Sequence, residues 1–345
     1  EVWLVGDTGR NITWTKMGTL TGNVKLLYST DGGTTFPDPA NVITSTVAVT
    51  ALTHNWNPIP DVIDNDLRVR IVYLNDTSVT DDSNANFEIK GSLTITAPDG
   101  GEVWEQSGPA QNIAWTKTGT LGNVELRYST DSGSTYPNLI TGSVSSTSPY
   151  SWTIPTASAA SSSTARVKIT LLSDAAVTDA SNNNFRIKPK LTLSAPNGGQ
   201  TWVVGNPENV TWTPVGGITN VKLEYSTDGG STYPGGNLII ASTAAGAGSY
   251  TWTVADGISA QVRVRVSDAA DASVVDSSDA DFTIKGSLSL TAPNGGQAWV
   301  VGTSQNITWT KTGTLANVKL DYSSDGGTTY PGAITAATPG GNLSY

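Results

Sequence analysis

The sequence has no cysteine and only one histidine, His54, among its 345 residues. Without cysteine it can form no disulfide, no Cys-ligated zinc or iron–sulfur site, and no thiol nucleophile. Charged residues make up 14% of the chain, against about 25% in an average soluble domain. The net charge of −10 argues against a phosphate-backbone partner such as nucleic acid. The sequence also lacks any apolar run of about 18 residues, so we expect no membrane span in this segment.

One phrase of the sequence recurs along the whole chain. It reads Ala-Pro-(Asp/Asn)-Gly-Gly-x-x-Trp and closes at Trp104, Trp202 and Trp299, at spacings of 98 (202 − 104) and 97 (299 − 202) residues. The chain opens inside the same phrase, at Glu1-Val2-Trp3. A period near 97 residues exceeds the usual 20–50 residues of a solenoid unit and fits a domain with its own core.

We therefore expect four copies of one module. In the first copy the opening strand is missing, and in the last the C-terminal strands are missing, because Tyr345 aligns with Tyr150 and Tyr250. On this reading the parent chain carries further copies on both sides. The expected β-sandwich repeats are residues 1–90, 91–188, 189–285 and 286–345.

Alternating apolar and polar residues predict strands rather than helices. In Val124-Glu125-Leu126-Arg127-Tyr128 every second side chain is apolar, which is typical of a half-buried strand. In the second copy we expect Trp115 and Trp152 to lie across the core from each other, near Tyr128. The predicted fold class is all-β, with tandem immunoglobulin-like antiparallel β-sandwich domains. Strands of the second copy are predicted near residues 92–97, 111–117, 123–130, 133–136, 149–154, 165–172 and 184–188.

The predicted junctions between copies are short. Gly91-Ser92 and Gly286-Ser287 each separate a Phe-x-Ile-Lys strand from the next strand, and Lys188-Pro189-Lys190 forms the middle junction. Linkers of two or three residues leave little room for independent motion. We expect a semi-rigid rod in which each domain adds roughly 35–45 Å.

A Ser-x-Asp-x-Gly-x-Thr-aromatic string follows one strand of each copy, as in Ser129 to Tyr136. Its Asp and Gly residues predict a tight turn. The string resembles the Asp-box of sialidase-like propellers, where it is a structural hairpin. A propeller repeats it every ~40–50 residues, so the single occurrence per copy argues against a propeller.

The opening phrase, followed by a (Asn)-Ile-(Thr/Ala)-Trp string, carries a family resemblance over all four copies. The chain resembles the immunoglobulin-like or fibronectin-type-III-like tandem repeats of large bacterial cell-surface proteins. The opening is also similar to the Ser/Thr-rich N-terminal domain of yeast cell-wall proteins involved in β-glucan assembly. The resemblance implies an extracellular or cell-surface location and a role in adhesion, spacing or matrix building. It implies no active-site residue.

Two sets of residues are candidate ligand sites. Aromatic rings after the Gly-Gly turn could stack on sugars if exposed, or else cover one end of the core: Trp3, Trp104, Trp202 and Trp299. Acidic residues in loops near a domain junction could supply oxygen ligands to Ca²⁺, or else be solvated loop positions. In the third copy these are Asp268, Asp271, Asp276, Asp279 and Asp281. Apart from this possible Ca²⁺, no cofactor is predicted.

No catalytic residue is predicted. His54 stands where other copies have tyrosine, and nothing near it in sequence suggests a triad. The leading interpretation is a non-catalytic structural segment, a stalk, spacer or fibre, of a secreted or cell-surface repeat protein. The alternatives are a carbohydrate-binding or adhesive array and an accessory region of an extracellular hydrolase. Expected partners are other copies of the chain in a fibre, or surface glycans.

Overall fold

A computed structural model describes residues 1–345, which consist of β-strands joined by loops and short 3-10 turns. The residues fall into two compact units. The first comprises Glu1–Trp104, Gly108–Ile154 and Ser162–Ile187. The second comprises Glu105–Ser107, Pro155–Ser161 and Lys188–Tyr345. The 3-10 turns are Val49–Ala51, Ser158–Ala160, Gly235–Asn237, Ala245–Ala247 and Gly340–Asn342.

The first copy of the repeat contains eight strands in two sheets. One sheet has the order β1-β8-β6-β3-β4 with β7 beside β6, and the other pairs β2 with β5. The strands are β1 (Val2–Leu4), β2 (Arg10–Thr13), β3 (Asn23–Ser29), β4 (Val42–Ala48), β5 (Thr53–Trp56), β6 (Asp64–Tyr73), β7 (Thr80–Asp82) and β8 (Phe87–Lys90).

The second copy adds an opening strand and repeats the pattern. Its larger sheet has the order β10-β17-β15-β12-β13 with β16 beside β15, and its smaller sheet is β14-β11-β9. The strands are β9 (Ser92–Ala97), β10 (Val103–Glu105), β11 (Gln111–Thr118), β12 (Asn123–Ser129), β13 (Asn138–Ser145), β14 (Tyr150–Trp152), β15 (Ser162–Leu171), β16 (Thr178–Ala180) and β17 (Phe185–Lys188).

The third copy has the same two sheets, and the fourth contains four strands. The sheets of the third copy are β19-β26-β24-β21-β22, with β25 beside β24, and β18-β20-β23. The strands of the third copy are β18 (Lys190–Ala195), β19 (Thr201–Val203), β20 (Pro207–Val215), β21 (Asn220–Ser226), β22 (Leu238–Ala244), β23 (Ser249–Thr253), β24 (Ser259–Asp268), β25 (Val275–Ser277) and β26 (Phe282–Lys285). Those of the fourth are β27 (Ser287–Ala292), β28 (Thr308–Thr312), β29 (Asn317–Tyr322) and β30 (Gly332–Pro339).

These sheets confirm the predicted all-β fold of repeated immunoglobulin-like sandwiches. The ladders are mostly antiparallel, as in β12 with β15. Each of two copies also has one short parallel pair, β1 with β8 and β19 with β26. The parallel pair arises because the opening segment runs first along the smaller sheet (β18) and then, after the Gly-Gly turn, along the larger one (β19).

Four aromatic rings pack together in the core of each of the first three copies. In the second copy the Trp104 ring centroid lies 6.0 Å from that of Trp152 and 4.9 Å from that of Phe185, and Tyr128 lies 5.1 Å from Trp152. The third copy repeats these separations at 6.0, 4.9 and 5.0 Å. Edge-to-face and tilted rings at these distances attract each other in addition to the area they bury. The aromatic residues therefore fix how the two sheets pack.

Two details of the predicted second copy are wrong. Trp115 and Trp152 do not face each other across the core, because β11 and β14 are neighbours in the same sheet. Residues 133–136 form no strand, because Ser129 and Asp131 side chains bind the backbone N–H groups of the turn. The edge strand β13 begins after that turn, at Asn138.

No helix in the structure has the length and apolar character needed to cross a membrane.

Candidate functional site

The structure buries three of the four tryptophans that were candidates for sugar stacking. Trp3, Trp104 and Trp202 are each 7% exposed and pack against a second tryptophan and a phenylalanine. Of the two alternatives given for these rings, burial favours the one in which they cover the core, because a buried ring offers no face to a ligand. Trp299, in the fourth copy, is 45% exposed.

The five candidate calcium ligands of the third copy each have a separate hydrogen-bonding role. Asp268 and Asp271 accept backbone N–H groups within their own turns, at 2.9 and 3.0 Å. Asp276 accepts the N–H of Leu193, and Asp279 exchanges two hydrogen bonds with Asn197. Asp281 forms an ion pair with Arg263 at 2.6 Å. The structure does not bring three or more of these carboxylates together as a metal site.

A buried carboxylate on the larger sheet has two cationic partners. Glu224 accepts hydrogen bonds from Arg265 at 2.7 Å and pairs with Lys222 at 2.6 Å, while its side chain is only 7% exposed. Burial opposes ionisation of Glu224, but the hydrogen bonds from Lys222 and Arg265 outweigh it and lower its pKa. Arg265 also lies over the ring of Tyr233, 4.0 Å from the centroid. Glu224 thus pairs with Arg265 across neighbouring strands and with Lys222 along its own strand.

The hairpin aspartates have the most strongly shifted pKa values in the chain. Asp131 accepts the Ser129 hydroxyl at 2.5 Å, and also both the hydroxyl and the N–H of Thr135. Hydrogen bonds from the serine first, and then the threonine, lower the pKa of Asp31, Asp131 and Asp228 to about 2, from a usual 3.8. Every one of these donors belongs to the same turn. The geometry closes a hairpin and leaves no acid or base directed at a substrate.

His54 lies on β5, paired with Ile12 of β2. Its neighbours in the ladder are Thr53 and Asn55, with Asn55 donating a hydrogen bond to Asn11 at 3.0 Å. The structure places no carboxylate or hydroxyl in a triad arrangement with this imidazole.

The joint between the first and second copies, within the first unit, is built from specific contacts. Asp61 accepts the backbone N–H of Thr120 at 3.0 Å and its hydroxyl at 2.5 Å. Lys90, at the end of β8, pairs with Asp174 of the second copy and with Glu88 of its own strand, both at 2.9 Å. Bonding to Asp174 first, and then to Glu88, raises the pKa of Lys90. One residue, Gly91, separates β8 from β9.

The joint between the third and fourth copies, within the second unit, repeats this arrangement. Asp256 accepts the N–H of Thr314 at 3.0 Å and its hydroxyl at 2.5 Å. These two bonds, the hydroxyl first, lower the pKa of Asp256. Gly286 stands alone between β26 and β27, and a Cβ there would lie 2.6 Å from the carbonyl oxygen of Thr312. The linker backbone is thus packed directly on the next copy.

Sequence reasoning did not identify Asp61 or Asp256. The available signal was that both follow the third tryptophan of their copy closely, at Trp56 and Trp252. Their partners lie in a repeated Gly-Thr-Leu string, at Gly119 and at Gly313. Neither string predicts the other, because the paired residues lie 59 (120 − 61) and 58 (314 − 256) positions apart.

Comparisons with solved structures return other tandem sandwich domains. The fibronectin(III)-like modules of Clostridium thermocellum CbhA are 20% identical, with 56% of this chain and 94% of that chain covered and a TM-score of 0.20. Three titin immunoglobulin domains are 10% identical, with 82% and 95% covered and a TM-score of 0.29. The three N-terminal domains of the bacteriophage RB49 outer capsid protein Hoc are 12% identical, with 82% and 95% covered and a TM-score of 0.25.

At these identities and TM-scores the similarities carry no argument about activity, ligand or location. No protein-family model matches the chain, and no curated protein matches it. The strands and sheets described above establish the fold.

Proposed function

We propose that this chain is a non-catalytic structural segment, a spacer or stalk, of a secreted or cell-surface protein. The supporting observation is the construction of the joints. Within each unit, consecutive copies are connected by a single glycine and held by an aspartate that accepts two hydrogen bonds from the next copy. Relative motion of neighbouring domains is the usual expectation unless something restrains it, and a one-residue linker leaves little room for such motion. Joints of this kind restrict the movement of one domain relative to the next, as a spacer requires.

The chemistry of the remaining polar groups agrees with this proposal. Carboxylates and guanidinium groups of the larger sheets pair within their own copy, as in Arg70 with Asp82 and Arg263 with Asp281. The aromatic clusters are internal. We take the repeat boundaries of this spacer to be 1–90, 91–188, 189–285 and 286–345, the first three ending at Lys90, Lys188 and Lys285.

Small-angle X-ray scattering of the full chain tests the spacer proposal. A stiff array of sandwiches gives a maximum dimension that grows by roughly 35–45 Å per copy and does not change with ionic strength. A scattering curve typical of a flexible chain of beads, or of a collapsed particle, would contradict the proposal. A glycan array and a polysaccharide hydrolysis assay on the same sample separate the spacer from a binding array and from an enzyme. We expect neither binding nor turnover.

A further inference from the structure

The joints share one local arrangement, which we call the clasp. It has three parts. The first is the side chain two positions after the opening tryptophan of a copy, and the second is a hydrogen-bond acceptor in the loop after the third tryptophan of that copy. The third is a glycine with a left-handed backbone, together with the backbone N–H of the residue after it. The glycine belongs to the following copy of the repeat. The residues that form each clasp occupy corresponding positions in their copies of the repeat.

In the first unit the clasp closes on Gly119, whose φ is +80°. A Cβ on this glycine would lie 2.9 Å from Ile63 Cδ1, 3.1 Å from Asp61 Oδ1 and 3.2 Å from Val5 Cγ2. Asp61 also accepts the N–H of Thr120, the next residue. Glycine is favoured here on two counts, because the backbone is left-handed and a Cβ would press on the side-chain ends of Ile63, Asp61 and Val5.

In the second unit the same clasp closes on Gly313, whose φ is +83°. A Cβ there would lie 3.0 Å from Ile258 Cδ1, 3.2 Å from Asp256 Oδ1 and 3.2 Å from Val204 Cγ2. Each residue of this set corresponds to one in the first unit, and the distances agree within 0.1 Å. Two independent pairs of copies therefore reach the same geometry.

A third, chemically different clasp lies elsewhere in the second unit, around Gly216 with φ of +88°. Here Gln106 occupies the place of the valine and Ser161 supplies the acceptor. Ser161 Oγ accepts the N–H of Gly217 at 2.8 Å and donates to Gln106 Oε1 at 2.8 Å. The buried Gln106 amide donates to the carbonyl oxygens of Pro155 and Ala157. The captured backbone N–H is the same, although the capturing side chains differ.

We propose that the clasp fixes the orientation of the second copy on the first and of the fourth on the third, with Asp61 and Asp256 as its positioning residues. The short linker limits how far two sandwiches separate, whereas the clasp limits rotation about the linker, because it fixes a second backbone position beside it. This inference rests on the spacer function proposed above. It goes beyond that function by naming the residues on which the stiffness depends.

The chain has no cysteine, so spin-label pairs can be introduced into the full protein without background. One pair, Ser45→Cys with Gly142→Cys, reports on the first unit, and a second, Ser242→Cys with Ala336→Cys, reports on the second; all four sites are exposed. Double electron–electron resonance then measures the width of each distance distribution. For the native joints we expect a narrow distribution in both units.

Asp61→Ala is expected to broaden the distribution in the first unit by about twofold or more and to leave the second unchanged, because removing the clasp restores ordinary interdomain motion. Asp256→Ala should do the reverse, so each variant is the control for the other. Gly119→Ala should match Asp61→Ala. Gly122→Ala should have no effect, because nothing lies within 4 Å of a Cβ at that position.

Thr120→Val removes the hydroxyl bond while keeping the backbone N–H, and should broaden the distribution by less than Asp61→Ala. If Gly119→Ala unfolds its sandwich, Thr120→Val still tests the clasp in a folded protein. Narrow distributions in the native chain that stay narrow in all the variants would overturn the clasp and leave the spacer proposal standing. Broad distributions in the native chain would overturn both proposals. Equal broadening by Gly122→Ala would also overturn the clasp.

Discussion

At the scale of single residues, the repeated tryptophans are packing residues in the complete copies. Trp104 is nine-tenths buried and touches both Trp152 and Phe185, whereas Trp299 is 45% exposed. Within residues 1–345 Trp299 has no counterpart of Trp152 or Phe185 to pack against, so substitutions at the two positions have different expected costs.

We expect Trp104→Ala to lower the free energy of unfolding by about 3–5 kcal/mol, because it deletes a buried ring and leaves a cavity. Trp299→Ala, at an exposed position, should change it by about 0.5 kcal/mol or less. Urea unfolding followed by circular dichroism measures both. Equal effects at the two positions would contradict the burial described here.

The hairpin aspartates predict a pH dependence of stability. Their pKa is about 2 in the folded chain and near 3.8 when unfolded, so they stabilise the fold at pH values above the unfolded pKa. That stabilisation is lost as the pH falls from about 4 through about 2. Thermal melts of the native chain should lose stability over this interval.

An Asp131→Asn variant is the control for this titration. It removes one titrating group and should reduce the loss of stability between about pH 4 and pH 2, while being less stable than the native chain at pH 7. If the variant and the native chain melt in parallel across the interval, the hairpin carboxylate does not contribute as described.

At the scale of elements, the opening strand of each complete copy is held by an aspartate from the other sheet. Asp179 accepts the N–H of Ile95 at 2.7 Å, and Asp276 accepts that of Leu193 at 2.7 Å. These carboxylates occupy an N–H group on β9 and on β18, the outer strands of the smaller sheets. An outer strand that is capped in this way is less available for pairing with another chain.

We expect Asp179→Ala to speed hydrogen exchange at the Ile95 amide by about tenfold, because the loss of one charge-assisted hydrogen bond is worth about 1.5 kcal/mol. The Leu193 amide should be unaffected, and Asp276→Ala should reverse the pattern. NMR-detected exchange at pH 7 resolves the two amides. Protection that is unchanged at Ile95 would show that the β9–β11 ladder holds the strand without Asp179.

Much of the element order could be predicted from the sequence, and the exceptions have physical causes. β12 and β15 alternate apolar and polar residues, so their position and inward face follow directly from the pattern. β13 is an edge strand rich in Thr, Ser and Gly, with two register shifts against β12, so it has no such alternation. The three-residue strands β10 and β16 are too short to show a period.

The joint residues could not be predicted for a different reason. Asp61 looks like an ordinary loop aspartate, and its role depends on Thr120 of another copy. Only the folded path of β6 to β11 brings the two together. For the tryptophans the sequence left two alternatives open, a surface site or a place over one end of the core, and Trp3, Trp104 and Trp202 are buried.

At the scale of the whole molecule, the acidic charge is dispersed among local partners. The net charge is −10, yet the aspartates of the third copy bind N–H groups, an amide and a guanidinium in separate places. Because these carboxylates lie apart, they do not supply in one place the roughly six to eight oxygen ligands that Ca²⁺ takes.

We therefore expect 1 mM Ca²⁺ or excess EDTA to shift the melting temperature of the full chain by less than about 1 °C, since a ligand stabilises only by binding the folded state. Differential scanning calorimetry with and without Ca²⁺ measures this, with Mg²⁺ as the ionic-strength control. A Ca²⁺-specific rise of several degrees would restore the predicted metal site in the third copy.

The clasps use different partners. Asp61 pairs with Gly119-Thr120, whereas Ser161 pairs with Gly216-Gly217, so the duplicated domains are not interchangeable. If the domains were rearranged, an aspartate such as Asp61 would face Gly217. Glycine has no hydroxyl, so the hydrogen bond that Thr120 donates to Asp61 would be lost. Exchange of one copy for another is thus constrained by the residues that the neighbouring copy presents.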